Sequence, residues 1–352
     1  MSNTPAHVRI LDAHHRLRDW LLSAPIQVMD GPQRGGVAGT LTAEGRIEYV
    51  YPEITGYYLH WLASPDIHAL PQARTRAMAA AGWAERVYAT SEPMTRVHLA
   101  PQIEDWRNRN RFVFDLGMLA GGLAAAWARG LLTPVPALAA RLQELALGYI
   151  DERGGLRAVA QPPELQRWST LPGPFLAKPA SRLLMLDAVH PGPGALREAC
   201  DITMATYPPT GQPGHVELHP ALYHLEGIAC RQSDHGGIAA SLASMLALED
   251  GRGRLPETAR ADLMRCDVTA QTLRLALWLQ DAGENPADEA RMARMAGALA
   301  DAVDGDGGIA FRLDRPAPER NIWCAMFAEQ ALAAWLRTQA NGRSGLVADD
   351  IV

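Results

Sequence analysis

The chain has 352 residues, 48% of them hydrophobic, with 33 basic and 39 acidic side chains and a net charge of -6. That length fills one large domain or two ordinary ones, and the arginines are scattered among carboxylates, with no basic stripe of the kind nucleic acid requires. No apolar run reaches the roughly 20 residues of a membrane-spanning helix; the richest, 112–128, is shorter and carries Asp115 near its start.

In chain order, 5–22 alternates His, Arg and Asp with apolar residues and predicts an amphipathic helix rather than a targeting segment, so the expected location is cytoplasmic. From there two kinds of segment alternate. Those at 5–22, 71–89, 134–151, 194–206, 237–249 and 286–303 are apolar on one side and charged on the other. Those at 53–64, 113–129, 176–189, 218–231, 268–281 and 322–337 are apolar nearly all round and rich in Ala, Gly and Ser. A helix apolar on every side must be buried by protein, and a one-sided helix can coat it. Six of each in strict alternation predict an all-α (α/α)6 toroid of six helical hairpins, with an open helical array as the alternative. Small residues, as in the 119–126 run, let the inner helices pack closely.

Punctuation agrees with this division. Pro71, Pro134 and Pro286 stand where outer helices should begin, and Gly130, Gly192 and Gly283 follow inner helices. A Gly-Gly-hydrophobic step recurs at Gly35-Gly36-Val37, Gly154-Gly155-Leu156 and Gly307-Gly308-Ile309, before inner helices. The best hairpin candidate among these excursions runs over 34–50, with Ala43-Glu44-Gly45 as its turn. The Pro/Gly-rich stretches at 159–174 and 207–214 read as loops, so 1–339 is expected as one toroid domain and 340–352 as a polar tail.

In such a ring the inner helices begin at one face, and their N-termini carry partial positive charge. The polar residues at those starts are the candidate site. Glu53 is followed one turn later by Tyr57, with Tyr58 beside it. Glu53 either serves the site or caps its helix, and the same choice stands for Asp115. His219 and Tyr223 are four residues apart, and Glu226 lies on roughly the same face. His219 is the best candidate for a general acid or base. Glu53, Tyr57, Asp115, His219 and Tyr223 are thus the expected catalytic set. Tyr58, Arg109, Arg111, Trp168, Lys178, Glu217, Asp267, Gln271 and Trp323 are the expected substrate contacts, the cations neutralising a substrate carboxylate and the tryptophans stacking on sugar faces.

No metal and no cofactor are expected. His224, Cys230 and His235 fall on different helical faces, and no HExxH, phosphate-loop or nucleophile-elbow motif is present. Trp323-Cys324 matches a ligand pair of the lanthionine-cyclase toroids, but the accompanying Cys-His-Gly is missing. The four cysteines read as buried free thiols.

The strings Tyr51-Pro52-Glu53-Ile54-Thr55-Gly56-Tyr57, Phe114-Asp115-Leu116-Gly117 and Asp267-Val268-Thr269-Ala270-Gln271-Thr272-Leu273-Arg274-Leu275 resemble proteins found among bacterial exopolysaccharide biosynthesis genes, which are similar to the six-hairpin toroids of carbohydrate-active enzymes. The resemblance implies an (α/α)6 toroid with Glu53, Tyr57, Asp115, Asp267 and Gln271 near its site. The leading expectation is an enzyme acting on a polar glycan, of uronic-acid or amino-sugar type, by epimerisation, elimination or hydrolysis. The alternatives are a cyclase or isomerase tailoring a peptide or isoprenoid, and a non-catalytic binding module in a biosynthetic assembly. The composition is also compatible with a homo-oligomer.

Overall fold

The structure, a computed structural model, describes residues 4–100, 103–207, 217–231, 235–315 and 317–352. Among these are twelve α-helices: α1 (Pro5–Ser23), α2 (Pro52–Leu62), α3 (Pro71–Tyr88), α4 (Val113–Ala128), α5 (Pro136–Leu147), α6 (Ala177–Val189), α7 (Gly194–Thr206), α8 (Leu218–Ala229), α9 (His235–Leu246), α10 (Cys266–Asp281), α11 (Glu289–Asp301) and α12 (Ile322–Asn341). The alternation read from the sequence is realised. Nearly every residue of α2, α4, α8 and α10 is buried, whereas α3, α7 and α11 bury one side only. Extended structure is confined to two-residue strands and isolated bridges, such as Tyr49–Val50 against Val97–His98 and Leu255–Pro256 against Met264–Arg265.

Helix ends follow local chemistry. Pro5, Pro52, Pro71 and Pro136 occupy first-turn positions, where the missing N–H costs nothing. Pro134 and Pro286 therefore lie just outside their helices; α11 is capped instead by Asp288, whose carboxylate accepts from Arg291 N at 2.7 Å. Asn321 caps α12 through Cys324 N at 2.9 Å. The loop expected at 207–214 lies, apart from Tyr207, outside the described residues.

The chain divides into two compact units, one holding α2 to α7 and the other α1 with α8 to α12. In the α2–α7 unit the buried helices α2, α4 and α6 pack through glycines. A methyl group on Gly122 would overlap the Gly56 carbonyl, and one on Gly56 would overlap the Met118 carbonyl. On the other side of α4, Gly117 faces Pro179 and Gly121 faces the Arg182 side chain, where an added carbon would sit 2.6 and 2.7 Å away. In the second unit α10 packs between α8 and α12, and α12 also packs on α1. Here long polar side chains fill the contacts.

The Gly-Gly step has a common geometry. Gly35, Gly154 and Gly307 take φ of 95°, 83° and 92°, and the following Val37, Leu156 and Ile309 are buried and bridge to Gln27, Ile150 and Val303. A fourth copy, which the sequence hides because an arginine replaces the second glycine, occurs at Gly253-Arg254-Leu255, with Gly253 at φ 83°. Each loop seats against the next one-sided helix. A carbon on Gly35, Gly253 or Gly307 would strike the carbonyl of Ala79, Arg294 or Arg16, and one on Gly154 would meet Ile202 at 3.2 Å. Of residues 340–352, expected as a polar tail, the first two end α12 and the rest dock on α10 and α12: Ser344 bonds Asp281 at 2.7 Å, and Ile351 and Val352 are fully buried. Cys200, Cys266 and Cys324 are buried thiols and Cys230 is half-buried; none forms a disulfide.

Candidate active site

In the α2–α7 unit the polar cluster grows from the first turns of α2 and α4. Glu53 is the second residue of α2 and Asp115 the third of α4; neither caps its helix, since Tyr51 and Phe112 hold those positions without a side-chain bond. Glu53 is partly exposed, while Asp115 is buried. Burial, reinforced by the neighbouring Glu53 and Glu92 charges, pushes the Asp115 carboxyl well above the ordinary carboxylate range despite the nearby Thr95 hydroxyl. The Tyr51 hydroxyl bonds Glu53, and burial together with the Glu53 and Asp115 charges raises it well above a normal phenol. Glu92 extends the cluster: it accepts from Tyr149 Oη at 2.6 Å, and burial raises its carboxyl. Tyr57 is buried one turn above Glu53, with Lys178 Nζ 5.2 Å from its ring centroid. The chemistry this offers is a carboxyl that keeps its proton beside a partly exposed carboxylate.

Other residues expected at this site are placed differently. Tyr58 is a correction: it is fully buried, stacks on Trp61 and bonds Arg76 of α3, so it ties two helices together. Its place next to Tyr57 in sequence puts it about 100° around the helix. Arg109 is exposed and pairs with Glu164 at 3.1 Å. Arg111 reaches the Pro93 carbonyl and lowers the Glu92 carboxyl. Trp168 is half-buried, edge-on to Phe175 at 5.2 Å.

In the second unit three buried helices contribute one face each, with the same spacing: His219, Tyr223 and Glu226 on α8; Asp267, Gln271 and Arg274 on α10; and Trp323, Phe327 and Gln330 on α12. Arg265 grips Asp267 with two bonds of 2.9 and 2.6 Å, and Trp323 Nε1 donates to the same carboxylate at 3.1 Å. Arg265 and these bonds hold Asp267 far below the usual carboxylate range against its burial. Asp267 is thus a fixed anion that orients Trp323 and Arg265, whose guanidinium also lies over Phe311 and reaches Glu257.

His219 is buried, and burial lowers its imidazole to about 4 against the opposing pull of Asp267. Its Nδ1 lies 2.6 Å from Gln271 Oε1 and 3.6 Å from Asp267 Oδ2. Gln271 Nε2 donates to Glu226 Oε2 at 3.0 Å, so its carbonyl oxygen must face the histidine, and Nδ1 carries the proton. At neutral pH His219 is therefore a neutral imidazole with its lone pair on Nε2, the form of a general base. The Tyr223 ring packs on it at 4.2 Å between centroids. Glu217 sits at the cap position of α8 without a capping bond, and His224 is buried on another face of the helix. Glu226 meets Arg274 in an ion pair of 2.7 Å with both side chains fully buried. Arg265, Arg274 and Glu92 escaped the sequence reading, the first two because neither an arginine just before a helix nor one inside an apolar helix gives a sign of which carboxylate it meets. Among the described residues no group of three or more His, Cys, Asp or Glu side chains is arranged to hold a metal ion. No helix there is long and apolar enough to cross a membrane.

No family model matches the sequence, and no curated protein matches it. Among solved structures the chain is similar to cellobiose 2-epimerase from Spirochaeta thermophila DSM 6192, at 14% identity and a TM-score of 0.69 over 96% of this chain and 100% of that one. It is similar to an α-1,6-mannanase of Salegentibacter sp. HEL1_6, at 12% identity and 0.60 over 91% and 97%. It is also similar to unsaturated glucuronyl hydrolase of Bacillus sp. GL1, at 13% identity and 0.55 over 96% and 97%. The likeness runs over whole chains and identifies the fold: the protein is an (α/α)6 toroid of six helical hairpins.

Proposed function

We propose that the protein is an enzyme of carbohydrate chemistry that moves a proton at a sugar carbon, with His219 as the base. The observation that carries this reading is the neutral, tautomerically fixed imidazole of His219. With Nδ1 engaged by Gln271 near Asp267, Nε2 is the nitrogen that would take up a proton next to a carbonyl, as in an opened reducing sugar or a uronic acid. Return of the proton to the opposite face gives the epimer, and loss of a neighbouring oxygen gives the unsaturated product. The half-buried Trp323, anchored by its Nε1 to Asp267, offers a face for the sugar ring. Tyr223 is read here as a support for the imidazole. That similar structures include an epimerase, a mannanase and a glucuronyl hydrolase supports a glycan as the substrate class.

A second reading, hydrolysis, is favoured by one observation: Asp115 holds its proton beside Glu53, as an acid and its paired carboxylate must. Proton NMR of the purified protein in D2O, with a panel of reducing disaccharides, uronic-acid glycans and amino-sugar glycans, separates the readings. Deuterium entering a ring carbon, lost in His219→Gln, supports the first. New anomeric signals lost in Asp115→Asn but kept in His219→Gln would replace it with the second. A silent panel from folded protein would remove the carbohydrate reading.

A further inference from the structure

We infer that Gln271, Glu226 and Arg274 are a positioning relay, locked at its far end by Gln330, that dictates which nitrogen of His219 holds the proton. Only its catalytic consequence rests on the reading of His219 as base. The relay has a direction at every link. Gln330 Nε2 donates to the Asp350 carbonyl at 2.6 Å, and its Oε1 accepts from Val352 N at 3.1 Å and from Arg274 Nη1 at 2.8 Å. Flipping that amide would set its NH2 against two donors and its oxygen against a carbonyl, so the main chain at 350–352 fixes it. Arg274, which only donates, then gives Nη2 to Glu226 Oε1 at 2.7 Å, its guanidinium lying over Phe327. The other oxygen of Glu226 accepts from Gln271 Nε2 at 3.0 Å, and Gln271 Oε1 faces His219 Nδ1 at 2.6 Å.

A reversed Gln271 would aim its oxygen at the Glu226 carboxylate and its NH2 at the imidazole, losing one charge-assisted bond for a repulsion. The whole chain is buried, where such mismatches are not repaired by water. Gln271, expected as a substrate contact, thus has a different role: both ends of its amide are committed inside the protein. The relay thus passes from Gln330 on α12 to Arg274 on α10, to Glu226 on α8, back to Gln271 on α10 and on to His219 in the first turn of α8.

The test is the tautomer itself. Protein labelled with nitrogen-15 histidine gives long-range proton–nitrogen correlations in which Nδ1–H and Nε2–H imidazoles differ; the His219 signals are those missing from His219→Gln. The wild type should show Nδ1–H alone at neutral pH. Gln271→Met, which keeps the volume and leaves the Glu226–Arg274 pair intact, should shift the ratio toward Nε2–H by about tenfold, the worth of one hydrogen bond. Glu226→Gln alone strands a buried guanidinium, so the charge-free double variant Glu226→Gln/Arg274→Met serves as the second probe and should shift it in the same sense. An Nε2–H imidazole in the wild type, or an unchanged ratio in both variants, overturns the relay. With a substrate in hand, Gln271→Met should lower kcat and leave KM in place. An Nδ1–H imidazole with a silent glycan panel would leave the relay standing and remove the proposed function. Sugar proton exchange with an Nε2–H imidazole would do the reverse.

Discussion

The two units solve the burial of polar groups in opposite ways. In the α2–α7 unit the inner helices touch through glycines; the Asp115 carboxyl is raised by burial and by the nearby Glu53 and Glu92 charges, and that of half-buried Glu92 by burial against the pull of Tyr149 and two arginines. In the other unit the inner helices touch through side chains, and two buried carboxylates each have a guanidinium, Arg265 for Asp267 and Arg274 for Glu226, while a third, Glu329, meets His14. One unit therefore stores acids and the other fixes anions around a neutral base. The same hairpin repeat carries both arrangements.

The sharpest way to break this contrast is at the base. Replacing His219 with Gln should reduce proton exchange by about 10²- to 10⁴-fold while circular dichroism and thermal unfolding stay close to wild type. Unpairing an anion comes next. Glu226→Gln should cost about 3–5 kcal/mol in urea unfolding, because the buried Arg274 charge loses its counter-charge, whereas Glu226→Leu/Arg274→Met should come within about 1–2 kcal/mol of the wild type.

Both predictions turn on residues the sequence revealed unequally. The twelve helices were legible because an all-apolar segment and a one-sided segment differ in periodicity wherever they occur. The shared face of His219, Tyr223 and Glu226 was legible from spacing alone. What joins that face to Asp267, Gln271 and Arg274 was not, since a contact between helices some 45 residues apart leaves no local trace. Glu92 lay hidden for a related reason: it sits in a loop, and only Tyr149, 57 residues later, identifies its surroundings. Tyr58 shows the converse error, in which adjacency in sequence stood in for adjacency on a helix.

Acid should act on the base before it acts on its anions. The imidazole of His219 lies at about 4 in the fold against 6.5 unfolded, so the unfolded chain takes up the proton first as pH falls. The contribution is complete above about pH 6.5 and is lost between there and about pH 4, roughly 3 kcal/mol in all. Urea unfolding followed down that range should be flatter in His219→Gln than in the wild type. In the acid-storing unit, Gly122→Ala should cost about 1–3 kcal/mol by forcing α4 off α2, read as a lower urea midpoint. The smallest effect expected is Asp115→Asn, which replaces a carboxyl kept neutral at a cost by a side chain neutral for free. It should raise the melting temperature at neutral pH slightly, with the gain shrinking as the pH is lowered toward the ordinary carboxylate range, because ionisation of the wild-type group is what the fold resists.

The loop that follows α11 seats Gly307 against Arg16 and Trp20 of α1, and Asp304 accepts from Arg16 through its carbonyl, 288 positions away in the chain. His14 on the same helix meets Glu329 of α12 at 3.0 Å, 315 positions away. Helix α1, made well before α11 and α12, is therefore among the last of its unit to find its partners. Until α11 and α12 have been made, the apolar side of α1, with Leu17, Trp20 and Leu21, has no place to go within its own unit. The loop-closure entropy of that contact falls on one late step. Refolding should be gated by the docking of α1, which stays exposed and adhesive while the roughly 290 residues up to its partners are made.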